Sequence, residues 1–532
     1  MSTRAYPDVS QFLDAIAQKG RSALATTAAH VFDPATPIFV ARAPGRLDVM
    51  GGIADYSGAL VLQMPIAEAT IVALQFHSQA DPSSAPQIRA TSLGDDAGGR
   101  GSGFVMPVSD LFSGDGGSAT ELSNLHAYFA RLPDNSKWAA YVIGVLGVLA
   151  HEPETSDSIK NCGGCSILVT SSVPEGKGVS SSAAVEVATM MATLGALDVS
   201  LAPSERVAQL CQRVENFVVG APCGIMDQMA SALGHASQLL ALVCQPARVE
   251  APVAIPAGMQ FWGIDSGVRH SVGGSDYGTV RCATFMARAV LRSELKARAQ
   301  KAAAAAANGA GTSPLGLPAS VTELDHLVTL SPSLFAEIAA CLPVAITGKD
   351  FLARYGGHGD NATAVDPATT YDLRGCASHP VHEHARVSAF RLLLLASLPS
   401  AEAEEARLVA LGELMYQSHA SYTAIGLGSD ATEELVRLVR SLGPASGLYG
   451  AKITGGGSGG TVCVLGAKSE RAEASFAKVV AAYKASSGHT PHVFAGSSPG
   501  AIEFGHIECH LTKGAAQLEA ALGKRRKRRR DP

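Results

Sequence analysis

Charge is scarce in this chain of 532 residues: Asp, Glu, Lys and Arg make up 17%, aromatics 5%, and there are only 2 Trp. The 10 Cys are too thinly spread for a disulfide scaffold. Cys162 and Cys165 form one Cys-x-x-Cys, but no second pair follows at zinc spacing, which favours a buried or incidental pair over metal or redox chemistry. No apolar run reaches the roughly 20 residues that span a bilayer. The longest, Trp138–Ala150, falls short, and the opening MSTRAYPDVSQFLDAIAQKG lacks the apolar core of a secretory signal. The 55 Gly and 27 Pro follow no Gly-x-y period, which excludes collagen and leaves turns.

What is present has a globular balance. Hydrophobic residues make up 47%, which excludes a mostly disordered chain. The length calls for two or more domains or one large bilobal body. Net charge is −5, yet seven of the 42 Lys and Arg sit in one run, Lys524–Arg530, so the remainder is more acidic than that figure. An acidic body argues against nucleic acid as the main ligand, because that affinity rests on neutralising phosphates. The expectation is a cytoplasmic protein with neither nucleic-acid nor membrane partners. The basic tail, read first as a solvated end, leaves a nuclear address open. Oligomeric state is not legible.

Phe12, Ile16 and Ala17 have helical spacing within a lead-in of residues 1–36. Buried strands are expected from Pro37 and again after Gly58, where apolar runs are bounded by Gly and Pro. Residues 80–120 read as loop with one short strand, and 137–151 as helix. Then come a strand at Ser166, a Gly-rich turn at 174–179, and a helix from Ser180 whose serines suit capping. Helices are expected at 206–219, 382–397 and 401–440, and strands at 260–268 and 460–467. The alanine run after Lys296 reads as a helix end passing into a surface loop, and 345–373 as a Gly/Asp-rich insertion. Mixed strands and helices indicate an α+β fold with two lobes.

Three segments carry chemistry. In Val173-Pro-Glu-Gly-Lys-Gly-Val-Ser-Ser-Ser-Ala-Ala a Gly-rich turn joins a strand to a helix N-terminus, where free N–H groups and the helix dipole favour an anion. An ordinary capped helix is the alternative. Lys177 is followed by Gly178 and not Ser or Thr, so this is no Walker A loop. Gly455-Gly-Gly-Ser-Gly-Gly460 matches G-x-G-x-x-G, but a strand follows, which rejects a dinucleotide site. Close backbone approach, to a ligand or another segment, remains. Ala43-Pro-Gly-Arg-Leu-Asp-Val-Met-Gly-Gly-Ile-Ala-Asp-Tyr-Ser-Gly places Arg46 and Asp55 in an apolar stretch, as an ion pair or as a site.

Taken with Gly220-Ala-Pro-Cys-Gly-Ile-Met-Asp-Gln228, and with Asp265-Ser-Gly-Val-Arg-His-Ser followed by Ser275-Asp-Tyr-Gly, these segments resemble in order and spacing the GHMP small-molecule kinases, galactokinase branch. The resemblance covers roughly residues 37–512. It implies a two-lobed GHMP kinase fold with the active site in the cleft, an N-terminal nucleotide-binding domain over 37–245, a C-terminal domain over 246–515, and a basic tail over 516–532. It implies ATP and Mg²⁺ as cofactors, and a free sugar and ATP as the small-molecule partners.

The resemblance also implies roles. Asp227 falls at the catalytic carboxylate, facing the sugar's C1 hydroxyl as a base or as an electrostatic partner, and Arg46 falls beside it. Ser182 and Glu215 fall at the Mg²⁺ positions, whose oxygen donors suit a hard cation. Gly176, Gly178, Ser180 and Ser181 fall in the phosphate loop, and Trp138 near the adenine. Asp55, Tyr277 and Gly224 fall in the sugar pocket.

The departure that bears on substrate is Gly52-Ile53, where galactokinases have Glu-His reaching the outer hydroxyls of galactose. L-Arabinopyranose has the ring stereochemistry of D-galactose without the C6 hydroxymethyl. The expected activity is therefore phosphorylation of an anomeric hydroxyl, with L-arabinose as the sugar and β-L-arabinose 1-phosphate as product. A galactokinase or other sugar-1-kinase is the alternative, and a silent sugar sensor a third reading. Ser458, where galactokinases usually carry Phe, is a second departure.

Overall fold

The computed structural model describes residues 6–17, 31–78, 85–93, 103–113, 117–269, 275–307 and 324–511. The loop expected after the alanine run and the basic tail lie outside them.

Eleven strands frame the site: β1 (Ile38–Met50), β2 (Leu60–Phe76), β3 (Gln87–Ser92), β4 (Gly103–Pro107), β5 (Gly164–Ser171), β6 (Gln238–Cys244), β7 (Met259–Asp265), β8 (Leu448–Ile453), β9 (Thr461–Ala467), β10 (Val493–Phe494) and β11 (Ile507–Cys509). The larger sheet runs β11-β1-β2-β5-β3-β4, with β6 also paired to β2. The β3–β5 pair is parallel. The smaller sheet runs β8-β9-β7-β10.

The helices that matter are α1 (Pro7–Ala17), α2 (Ala139–Leu149), α3 (Ser181–Ala196), α4 (Glu205–Arg213), α5 (Met226–Leu233), α6 (Ser275–Ala307), α7 (Leu373–Leu395), α8 (Ala401–Ala424), α9 (Asp430–Leu442) and α10 (Glu470–Ser487). No helix of the described residues is long and apolar enough to cross a membrane.

β1 and β2 are buried almost throughout, as their largely apolar wording favours, and the polar residues within them, Arg42, Arg46, Asp48 and Gln63 among them, are hydrogen-bonded. Their register shifts between Pro44 and Arg46 and again between Asp48 and Met50. Such bulges re-aim side chains, and Arg46 lines the cleft beside this one. Helix α3 lies across both strands. Its small residues permit close approach, and Thr189 and Thr193 bond back to the carbonyls of Val185 and Thr189, satisfying buried hydroxyls within the helix. Helix α1 buries Val9, Phe12, Leu13 and Ile16 against Ile38, Val40 and Ile507, and Asp8 pairs with Arg42 at 2.7 Å.

A second core forms under α6 and α7 and takes in Ile53, Tyr277 and Tyr422. The halves are also joined by a fully buried ion pair, Lys452 Nζ to Asp48 Oδ2 at 2.7 Å. Removing one partner of such a pair costs about 3–5 kcal/mol, because the other is left as an uncompensated charge.

Four sequence expectations need correction. Two strands, β3 and β4, stand in residues 80–120 where one was expected. The Gly/Asp-rich insertion holds a helix, Gly348–Tyr355, and Asp360 meets buried Arg281 there with two bonds of 2.8 Å. The helix expected over 401–440 is two, α8 and α9; Gly426 takes a left-handed φ of 83° between them and Ser429 and Thr432 form a capping box. Ser180 does not cap α3 with its side chain.

Candidate active site

A cavity of about 330 Å³ lies at the cleft. Arg46, Ile53, Asp55, Trp138, Gly176, Gly178, Ser180, Ser181, Ser182, Glu215, Gly224, Asp227 and Tyr277 all line it. Gly52 does not: it is buried, with Tyr422 and Asp48 packed against it.

Asp227 stands in the first turn of α5. Arg46 grips its Oδ1 through Nε at 3.0 Å and Nη2 at 2.8 Å. Ser180 Oγ donates to its Oδ2 at 2.5 Å. Arg46 Nη1 also donates to the Gly178 carbonyl at 2.6 Å. One guanidinium thus ties the carboxylate to the phosphate loop.

That loop is shaped by left-handed backbone at Gly176, Gly178 and Ser180, with φ of 66°, 69° and 63°. Its lysine is not free for phosphate: Lys177 Nζ pairs with Asp265 at 2.8 Å, and His489 meets the same oxygen at 3.0 Å. The glycine run packs on this loop. A Cβ on Gly455 would stand 2.9 Å from the Gly178 carbonyl and one on Gly460 3.0 Å from that of Lys177, so the close approach is to another segment.

Glu215 lies in a π-helical turn, Val214–Val219, that continues α4. Such widened turns often occur at functional sites. Burial and the charge of Asp227 push its carboxyl up to about 7, opposed by hydrogen bonds from Ser182, Cys223 and Gln228. Gln228 Nε2 donates to Glu215 at 2.6 Å and to Glu186 at 3.3 Å. Glu186 is fully buried, and burial first, then Glu215, drives its pKa well up.

Asp55 is buried and accepts the Tyr56 N–H at 2.6 Å. Burial, then Asp227, raises its pKa to about 7; Arg281 and the N–H groups of Tyr56 and Met226 pull the other way. Gly224 makes its position possible, since a Cβ there would lie 1.7 Å from Asp55 Oδ2. Tyr277 sits edge-on to Tyr56 with ring centroids 6.1 Å apart.

Sequence reasoning missed several neighbours. Tyr141 lines the cavity with Trp138 and lies three residues on, a helical spacing that was available as a signal. Glu186 is likewise one turn beyond Ser182. Ser92 and Val169 come from β3 and β5 and carried no sequence signal. Ser458 holds a left-handed φ of 55°, and its N–H donates to the Leu427 carbonyl at 2.7 Å. Its hydroxyl donates to Asp276 Oδ2 at 3.3 Å, a contact a Phe could not make.

Residues 140–235 match the GHMP kinases N terminal domain, residues 400–485 the GHMP kinases C terminal, and residues 29–76 the galactokinase galactose-binding signature. The chain carries the N- and C-terminal domains of the GHMP kinases. The chain is 46% identical to the L-arabinokinase of Arabidopsis thaliana over 88% of its own length, and spans 46% of that protein. It is 29% identical to the galactokinase of Chloroflexus aggregans, over 85% of this chain and 90% of that one. The fold matches a Lactococcus lactis galactokinase complexed with galactose, with a TM-score of 0.64 at 20% identity, covering 92% of this chain and 99% of that one.

Proposed function

We propose that this chain transfers the γ-phosphoryl group of ATP to the anomeric hydroxyl of L-arabinose, yielding β-L-arabinose 1-phosphate and ADP. The observation that carries the reading is Ile53: an apolar side chain lines the same cavity as the Arg46–Asp227 pair and Asp55. The name of the Arabidopsis relative supports the same sugar.

The phosphate loop and the N-terminus of α3 receive the triphosphate through backbone N–H groups. Trp138 and Tyr141 line the same cavity, and the base would lie beside them. Asp55 accepts from ring hydroxyls and Tyr277 packs beside it. The C1 hydroxyl then meets Asp227, which orients it and receives its proton as the oxygen–phosphorus bond forms and the bond to the ADP oxygen breaks. Arg46 neutralises charge on the moving phosphoryl oxygens.

The donor set fits Mg²⁺. Ser182 hydroxyl and Glu215 carboxylate are bonded to each other at the start of α3, and both are hard oxygen ligands. Bound there, the ion would supply charge neutralisation at the β- and γ-phosphates. We place the reaction in the cytoplasm; all ten Cys are unpaired.

Release of ADP by the purified protein over a panel of free sugars tests the proposal. L-Arabinose is expected to give the highest kcat/KM. D-Galactose in that place would make the chain a galactokinase, and sugar binding without turnover would make it a sensor.

A further inference from the structure

Three consecutive N–H groups of the segment carrying Ile53 are each taken by a buried side chain. Gly51 N–H donates to Glu383 Oε1 at 3.2 Å, Gly52 N–H to Asp48 Oδ1 at 3.0 Å, and Ile53 N–H to Tyr422 Oη at 2.9 Å. Glu383, Asp48 and Tyr422 are all 0% exposed. Backbone that turns through position 52 at a φ of +43° is therefore fixed by side chains from β1, α7 and α8.

Tyr422 also fills the space at position 52, far more closely than Asp48, whose Oδ2 would stand 2.9 Å from a Cβ there. A Cβ on Gly52 would stand 1.6 Å from Tyr422 Oη and 2.9 Å from its Cζ. A side chain at 52 and a hydroxyl at 422 exclude each other. The ring cannot easily yield. It packs edge-on to His379 with centroids 5.0 Å apart, and Lys452 Nζ lies 5.5 Å from its centroid. The hydroxyl donates onward to the Gly455 carbonyl at 2.8 Å, so it bridges the sugar segment and the glycine run.

We propose that Tyr422 is a specificity-determining positioning residue for the sugar. It does not line the cavity; it acts through Ile53, whose N–H it holds and whose side chain lines the pocket, on the proposed function beside the position of a hydroxymethyl. The empty Cβ position at Gly52 and the hydroxyl of Tyr422 are two halves of one device. This rests on the sugar-kinase reading above and adds the residue that sets its selectivity.

The test is the ratio of kcat/KM for L-arabinose to that for D-galactose in the full chain, with melting temperature and KM for ATP beside it. Tyr422→Phe keeps the ring and removes both hydrogen bonds. The ratio is expected to fall about tenfold, the size of one lost neutral hydrogen bond, through a raised KM for L-arabinose. KM for ATP should stay within about twofold and kcat within about threefold, a split that general loosening of the fold would not give. Ile53→Ala should lower the ratio as well, and Tyr422→Phe added to it should lower it no further.

A folded Tyr422→Phe whose ratio stays within about twofold of wild type, or additive losses in the double variant, would overturn the proposal. If Tyr422→Phe does not fold, Gly52→Ala disturbs the same contact from the other side. It should show the same fall in the ratio, and an unchanged ratio overturns the proposal equally. A wild type that prefers D-galactose overturns the substrate reading alone, since the change in ratio still reports on Tyr422.

Discussion

Ser180 Oγ donates to Asp227 Oδ2 at 2.5 Å from a residue whose backbone is left-handed, with φ 63° and ψ 50°. A non-glycine residue there costs roughly 1–2 kcal/mol. The hydroxyl that sequence would assign to helix capping is spent instead on the carboxylate. With Arg46 on Oδ1, both oxygens of Asp227 are held from the phosphate loop's side, and its free lone pairs are left for the sugar.

Asp227→Asn is expected to lower kcat by about 10²–10⁴ with ATP binding nearly intact, the range for a positioned acid–base group. A variant keeping half of wild-type kcat would remove Asp227 from the chemistry. Ser180→Gly separates strain from bonding. It relieves the left-handed backbone while deleting the hydroxyl, so kcat should fall about tenfold with little loss of melting temperature. A large drop in melting temperature with unchanged kcat would show the bond to be structural only.

Ser182→Ala and Glu215→Gln should raise the Mg²⁺ concentration needed for half-maximal rate far more than they raise KM for the sugar. Rates are measured against Mg²⁺ at saturating sugar. Unchanged Mg²⁺ dependence in both would place the ion elsewhere.

Asp55 predicts a pH effect with two opposite signs. Its folded pKa of about 7 lies above its ordinary carboxylate value because of burial and Asp227. The native state therefore holds a proton that the unfolded chain gives up, and this contribution to stability is full below about pH 4 and lost as pH rises to about 7. Sugar binding runs the other way, because only ionised Asp55 is a pure acceptor. At saturating Mg²⁺-ATP, kcat/KM for the sugar should rise between about pH 6 and 8. Asp55→Asn should flatten that limb, lower kcat/KM, and raise the melting temperature of the ligand-free protein at pH 8 relative to wild type. An unaltered limb in Asp55→Asn would assign it to another group.

The phosphate loop is legible in sequence because glycines and serines at fixed spacing announce a loop meeting a helix, whereas the roles of Arg46 and Asp227 come only from the resemblance to the GHMP kinases. What is illegible joins distant residues: Ile53 and Tyr422 are 369 positions apart, and Ser180 and Asp227 are 47. A serine ahead of a helix reads as a cap, and only the fold supplies the stronger acceptor. The 345–373 segment reads as loop from its Gly and Asp content. Asp360 orders it by pairing with Arg281, one turn beyond Tyr277 on α6. Gly426 and Ser429 were a stop and a start signal between α8 and α9 that an apolar pattern running past them concealed.

The sugar segment gives the last prediction. Gly52→Glu with Ile53→His restores the polar pair of galactokinases, and polarity alone would suggest a gain of galactose activity. The geometry opposes it. Any Cβ at 52 meets Tyr422 Oη at 1.6 Å, at a φ that disfavours side chains. The new Glu would therefore displace either the ring or the segment, and the surrounding groups were not built to orient it. The expected outcome is a loss of more than about 100-fold in kcat/KM for L-arabinose with no gain for D-galactose, since misplacing a positioned group by about 1 Å costs that much. Adding Tyr422→Ala to the pair opens the space and should recover part of the loss for D-galactose first. Steady-state kinetics with both sugars across the three proteins decides it: a double variant that gains galactose activity with Tyr422 in place would show that the segment moves freely and that Gly52 is not held by its neighbour.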